Sequence, residues 1–424
     1  MKKWYSLIDK IYQRENLRKA FNRVKKNKGA PGIDGETIEK YEEELESNIK
    51  FLHEELKTNT YEPSAVRRVE IEKPDGGIRL LGIPTVKDRV VQQAVVNIIG
   101  HIFEETFHPS SYGYRPKHSQ QQAVAKAERF MNRYGLEYVV DMDLSKCFDT
   151  LDHELIISTV SEKISDGRVL GLIKKFLKSG VMKDGNFCTT DIGSPQGGVI
   201  SPLLSNIYLN LFDQKMKNKG IRIVRYADDI LIFAVDKQTA GNYRTYATKI
   251  LEEELKLTVN QKKTSITSVH EGVAFLGFII REKNLCINQK RVERFKEKVR
   301  IITKRNAGRK IEDVIDELNP VIRGWINYYR AANCKVIIRE LMQWIRRRLR
   351  MIRMKQWKTY KKMHKEMRRK GIKGNGQKMD VTKWKNSKVH IIHKLLGNKY
   401  FDELGLIDLT KYKVGLLSNY YSQL

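Results

Sequence analysis

Ile221-Arg222-Ile223-Val224-Arg225-Tyr226-Ala227-Asp228-Asp229-Ile230-Leu231-Ile232-Phe233-Ala234-Val235 holds two apolar runs with an acidic pair between them. Each run is short and rich in β-branched residues, so Ile221–Tyr226 and Ile230–Val235 read as buried strands joined by a tight turn. A carboxylate pair at a hairpin tip repels itself, and partial burial makes its ionisation costlier. A bound divalent cation offsets both penalties. The competing reading is an acidic surface turn; the position of the pair between two largely apolar strands favours the first reading.

A third carboxylate stands at the end of another apolar run, Val139-Val140-Asp141-Met142-Asp143-Leu144. If Tyr138–Leu144 is a strand beside the hairpin, Asp143, Asp228 and Asp229 can share two Mg²⁺ ions about 4 Å apart, the arrangement used for in-line phosphoryl transfer. Asp141 lies two residues from Asp143 and so shares its face. Asp149 is assigned to capping the helix that begins near His153.

The remaining chain reads as an α+β arrangement followed by helices. Val66–Lys73 and Ile78–Ile83 flank a Pro74-Asp75-Gly76-Gly77 turn, and 273–288 forms another hairpin. Trp4, Leu7, Ile8 and Ile11 recur at helical spacing, as do residues near 17–24, 86–105, 153–179 and 240–256. Ser201-Pro202 makes a helix start, with Ser201 as N-cap. Beyond about 290 strand signals stop, and 291–303, 311–332 and 336–368 read as basic helices. The formal charge is +30, and residues 341–400 hold 20 Lys and Arg against only Glu366 and Asp380. Such clustering suits a phosphate backbone better than solubility. No apolar run reaches the roughly 18 residues of a membrane span, so no membrane partner is expected. Four scattered cysteines without a Cys-x-x-Cys pair disfavour zinc and disulfides and fit a reducing, cytoplasmic setting. His390 and His393 lack a nearby third ligand and read as ordinary helix residues.

Tyr226-Ala227-Asp228-Asp229 resembles the signature of reverse transcriptases. Asp143-Leu144-Ser145-Lys146-Cys147-Phe148-Asp149 and Gly193-Ser194-Pro195-Gln196-Gly197-Gly198-Val199-Ile200-Ser201-Pro202 resemble the blocks that precede it. Tyr112-Gly113-Tyr114-Arg115-Pro116 and Phe275-Leu276-Gly277-Phe278 match further blocks. The resemblance implies a right-hand polymerase fold of fingers and palm, followed by an α-helical thumb and a small basic C-terminal domain. It implies an RNA-directed DNA polymerase with Asp143, Asp228 and Asp229 as catalytic and metal-binding residues, acting on deoxynucleoside triphosphates with an RNA template and a DNA primer. It also implies that Lys73 and Arg79 clamp the triphosphate, that Phe148 excludes a 2′-hydroxyl, and that Gln196 and Lys263 touch the nucleotide or primer. The plainer readings are solvated hairpin charges, a core phenylalanine, a turn glutamine and a solvated strand entry.

Asn27-Lys28-Gly29-Ala30-Pro31-Gly32-Ile33-Asp34-Gly35 resembles an N-terminal block of group II intron enzymes, and residues 318–330 resemble the maturase-specific thumb of intron-encoded proteins. The chain is thus identified as a group II intron-encoded protein, which binds its intron RNA, helps it splice and copies it into target DNA. The expected domains are 1–290 (fingers and palm, with an extension over about 1–60), 291–370 (thumb) and 381–424 (basic C-terminal piece). Lys28, Arg115, Arg323, Arg330, Arg347 and Arg350 are the expected nucleic-acid contacts. The arginines of the helix around Trp344–Met354 should flank its apolar stripe and reach phosphates from both sides. The absence of Cys after residue 335 and the short end suggest the compact bacterial type without an endonuclease domain. A reverse transcriptase of a diversity-generating or defence element, and a splicing cofactor with a vestigial polymerase site, remain alternatives. The oligomeric state is open.

Overall fold

The computed structural model describes residues 3–72, 76–183, 186–188, 193, 197–305, 308–372, 380–381 and 383–423. Its strands are β1 (Val66–Glu72), β2 (Ile78–Ile83), β3 (Tyr138–Met142), β4 (Leu144–Ser145), β5 (Val181–Lys183), β6 (Asn186–Cys188), β7 (Arg222–Tyr226), β8 (Asp229–Ala234), β9 (Thr258–Val259), β10 (Ser265–Ser268), β11 (Val273–Phe275), β12 (Phe278–Arg281) and β13 (Asn284–Ile287). The chain divides into two compact units, Met1–Ser268 and Val269–Leu424. Among the described residues no helix is long and apolar enough to cross a membrane.

The central sheet of the first unit runs β10-β3-β8-β7, all antiparallel. β8 sits between two partners, so Ile230 to Ala234 are buried without the in–out alternation of a half-exposed strand. Helices Gln120–Asn132, Ser201–Asn218 and Lys237–Lys249 pack on this sheet and bury Val139, Val140, Ile223 and Val224. A second sheet, β2-β1-β5-β6, carries the hairpin expected near residues 66–83. β4 and β9 form a short separate pair just past the end of β3.

Local capping explains several boundaries that depart from expectation. The first helix spans Ile8–Tyr12 and leaves Trp4 outside, in a bridge to Ile164. It starts there because Asp166 accepts from the Leu7 and Ile8 amides at 2.7 and 2.9 Å. Helix His153–Ser161 is capped by Asp152, which accepts from the Leu155 amide at 2.9 Å, so Asp149 is not its cap. Helix Ser201–Asn218 has Ile200 as N-cap, and Ser201 is already helical. The Val199 and Ile200 amides are satisfied instead by Gln92 Oε1 at 2.7 and 3.3 Å.

In the second unit, 273–288 is a three-stranded meander, β11-β12-β13, and not a hairpin. It groups with the helices that follow, ahead of the boundary expected at 290, because Phe278 stacks on Tyr328 and Tyr329 and the Tyr328 hydroxyl donates to the Leu276 carbonyl. Helix Ile311–Tyr329 passes through Pro320 and buries Ile322, Ile326 and Tyr329. The single helix expected over 336–368 is two, Lys335–Trp357 and Tyr360–Arg369, interrupted at Lys358 with φ 60°. A lysine in the left-handed region has no place inside a helix.

Candidate active site

β7 and β8 meet with Tyr226 opposite Asp229, which leaves Ala227 and Asp228 as a two-residue turn. Ala227 has φ 59°, a conformation costing a non-glycine residue on the order of 1–2 kcal/mol. Tertiary contacts hold it there. The Arg225 Nη1 donates to the Ala227 carbonyl at 3.0 Å. The segment before Gly113 lies on the free edge of β7, with Tyr112 and Arg225 amides bonded to the Arg225 and Ser110 carbonyls. A Cβ at Gly113 would stand 2.2 Å from the Ala227 nitrogen, so only glycine allows this approach.

Arg225 itself is fully buried. Its Nε and Nη2 donate to Asp213, also fully buried, at 2.9 and 2.6 Å, and its Nη1 reaches Asn206 Oδ1 at 3.0 Å. Asn206 in turn donates to the Gly113 carbonyl at 2.8 Å. One buried network therefore ties the helix Ser201–Asn218, the 110–113 segment and the hairpin tip together. In the sequence Arg225 and Asp213 look like surface charges, and nothing in either run marks them as partners.

Asp143 lies between β3 and β4. Its amide donates to the Thr264 hydroxyl oxygen Oγ1 at 3.3 Å, and its carbonyl accepts from the Asn260 amide at 2.8 Å. Asp143, Asp228 and Asp229 line one cleft of about 690 Å³ together with Arg79, Phe148 and Lys263. Six of the expected site residues, from four separate stretches, thus meet in one place. Asp149 also lines it, whereas Asp141 does not; burial, and then the charge of Asp143, pushes the Asp141 carboxyl up to about 6. Lys73 and Gln196 lie outside the described residues.

Among the described residues, no three carboxylate, imidazole or thiol side chains are close enough to share an ion as they stand. The donor set itself, all carboxylate oxygen, matches the hard ligands Mg²⁺ prefers. The charge of Asp228 is felt nearby: burial and then Asp228 raise the Tyr114 hydroxyl, and the same two causes push the Cys147 thiol up to about 12. Tyr114 packs edge-on against Phe148 at 6.4 Å. The Phe148 side chain is largely buried and still borders the cleft.

Gly193 and Gly197 of the glycine-rich block make close approaches to other backbone. A Cβ at Gly193 would meet the Asp149 carbonyl at 2.6 Å, and one at Gly197 the Gly82 carbonyl at 2.3 Å. Gln92, which holds the end of that block, gave no signal in the sequence beyond an apolar helix around it.

The expected nucleic-acid contacts divide. Lys28 and Arg323 are exposed, and Arg330 and Arg347 are half-buried. Arg115 is turned inward: it bonds Glu104 at 2.8 Å and the His108 and Ser111 carbonyls at 2.9 and 2.6 Å. It braces the 108–115 turn, whose carbonyls need a donor. Arg346 and Arg350 are also buried, so the helix around Trp344–Met354 does not present all its arginines outward as expected. The C-terminal stretch covers them.

A family described as reverse transcriptase (RNA-dependent DNA polymerase) matches residues 71–280, and one described as group II intron, maturase-specific domain matches 292–371. The chain is 34% identical to the protein YkfC of Escherichia coli K12 over 325 residues, covering 68% of this chain and 85% of YkfC. It is 31% identical to the group II intron-encoded protein LtrA of Lactococcus lactis, covering 62% of this chain and 54% of LtrA. It is 28% identical to the COX1/OXI3 intron 2 protein of Saccharomyces cerevisiae, of which it spans 37%.

Proposed function

This chain belongs to the family of group II intron-encoded reverse transcriptases and maturases, and on that basis we propose that it copies RNA into DNA and assists the splicing of an intron RNA. The carrying observation is the convergence of Asp143, Asp228, Asp229, Arg79, Phe148 and Lys263 on one cleft. Asp143, Asp228 and Asp229 are the residues that would hold two Mg²⁺ ions, whose chemistry when bound is to activate a primer 3′-hydroxyl and neutralise a leaving pyrophosphate. Arg79 and Lys263 are exposed cations at the same cleft and suit the phosphates of an incoming deoxynucleoside triphosphate. The Phe148 ring packs against Tyr114 at the border of the cleft, which supports a role in excluding a 2′-hydroxyl.

The test is extension of a DNA primer on an RNA template with Mg²⁺ and deoxynucleotides; no extension by the intact chain overturns the proposal. In the same assay Phe148→Ala should lower discrimination against ribonucleotides by roughly 10- to 100-fold, the worth of one filled steric gap. An unchanged incorporation ratio would leave Phe148 as core only.

The splicing role concerns a group II intron RNA, and copying that RNA at a DNA target would support its movement to new sites. The +30 charge predicts non-specific RNA binding that weakens steeply with salt. Binding to the cognate intron should weaken too, yet keep a margin over a scrambled RNA of equal length. Filter binding across a salt series checks this, and equal affinities throughout would remove the maturase part alone.

A further inference from the structure

The second unit contains a cavity of about 650 Å³ between the Lys335–Trp357 helix and the C-terminal stretch. Its volume lies within the roughly 300–1,000 Å³ typical of ligand clefts. Arg339, Arg346, Arg347, Arg350 and Lys388 line it against two carboxylates, Glu340 and Asp408. Asp408 is already engaged: it accepts from Arg346 at 2.7 Å and from the Thr410 amide and hydroxyl at 2.9 and 2.7 Å.

Arg350 is the anomaly. It is 5% exposed, yet among the described residues no carboxylate pairs with it. Its one hydrogen bond is long, from Nη1 to the Leu396 carbonyl at 3.4 Å, and its Nε has no partner. Burial, followed by the charges of Arg346 and Arg347, lowers the guanidinium to about 10. A buried cation among cations is strongly unfavourable unless an anion joins it. Among the described residues no side chain supplies one, whereas the cavity is open to one from outside. Trp344 adds a flat apolar wall beside the basic groups.

We propose that this cavity takes a phosphodiester group of a bound RNA or DNA strand, with Arg350 at its floor and Lys388 at its rim. The proposal rests on the nucleic-acid-binding reading above. It differs from a general basic surface in predicting one phosphate seated in a half-open cleft, against a guanidinium that has no carboxylate partner among the described residues.

The experiment uses the full chain, with Arg350→Met and Lys388→Met variants. Affinities for a structured intron RNA and for a DNA duplex are measured across a salt series, and thermal unfolding is followed with inorganic phosphate or chloride at equal ionic strength. Arg350→Met should reduce the slope of log affinity against log salt by roughly one contact, about 0.7 to 0.9, for whichever nucleic acid fills the cavity. It should also abolish the extra thermal protection given by phosphate. Without ligand the variant should unfold no earlier than the parent, since removing an unpaired buried charge is not destabilising. If Arg350→Met fails to fold, exposed Lys388→Met carries the slope and phosphate readouts. Unchanged slopes and unchanged phosphate protection in a folded variant overturn the cavity. A parent chain that binds neither nucleic acid overturns the underlying reading instead.

Discussion

Asp228→Ala is expected to abolish primer extension, by roughly 10²- to 10³-fold or more, while leaving RNA affinity nearly intact. Asp228 stands in the two-residue turn between β7 and β8 and borders the cleft shared with Asp143 and Asp229. Removing the Asp228 carboxylate takes one of the three proposed cation ligands from the cleft. No phosphate contact is lost, since a carboxylate repels the backbone. Asp228→Asn keeps the shape and removes the charge, so it should be similarly inactive. Single-nucleotide addition, measured beside filter binding, checks both. Substantial extension by either variant would end the metal assignment.

The second large effect concerns stability. Asp213→Ala strands the Arg225 guanidinium in a site where both side chains are fully buried, and should cost about 3–5 kcal/mol. Denaturant unfolding measures it. Replacing both, as Asp213→Leu with Arg225→Met, removes the stranded charge and should recover most of that loss. Activity should not return with it. The Ala227 carbonyl and Asn206 lose their donor, and the strained turn at φ 59° loses a constraint. A double variant that is stable and fully active would show that the pair serves folding and does not position the hairpin tip.

Much of the site is legible along the chain. Two apolar runs around Asp228 and Asp229 force a buried hairpin, because runs of that length and composition have to be covered and their turn has to be tight. The end of the Val139–Leu144 run marks Asp143 for the same reason. The helical stretches follow from periodicity, with errors at their ends wherever the cap comes from a distant residue, as Asp166 does for Ile8 and Gln92 for Ile200.

Charged residues are where the chain is silent. Arg115, Arg225, Arg346 and Arg350 look alike in sequence, as basic groups with a default place in solvent. In the fold Arg115 meets Glu104, Arg225 meets Asp213, Arg346 meets Asp408, and Arg350 is covered with no carboxylate beside it among the described residues. Periodicity tells which face of an element is apolar. It carries no information about which carboxylate, 12 or 62 residues away, arrives beside a given guanidinium. Whether a cation braces the interior, grips a phosphate or waits for one depends on that arrival, because the cost of burying a charge is set by its partner and not by the residue itself.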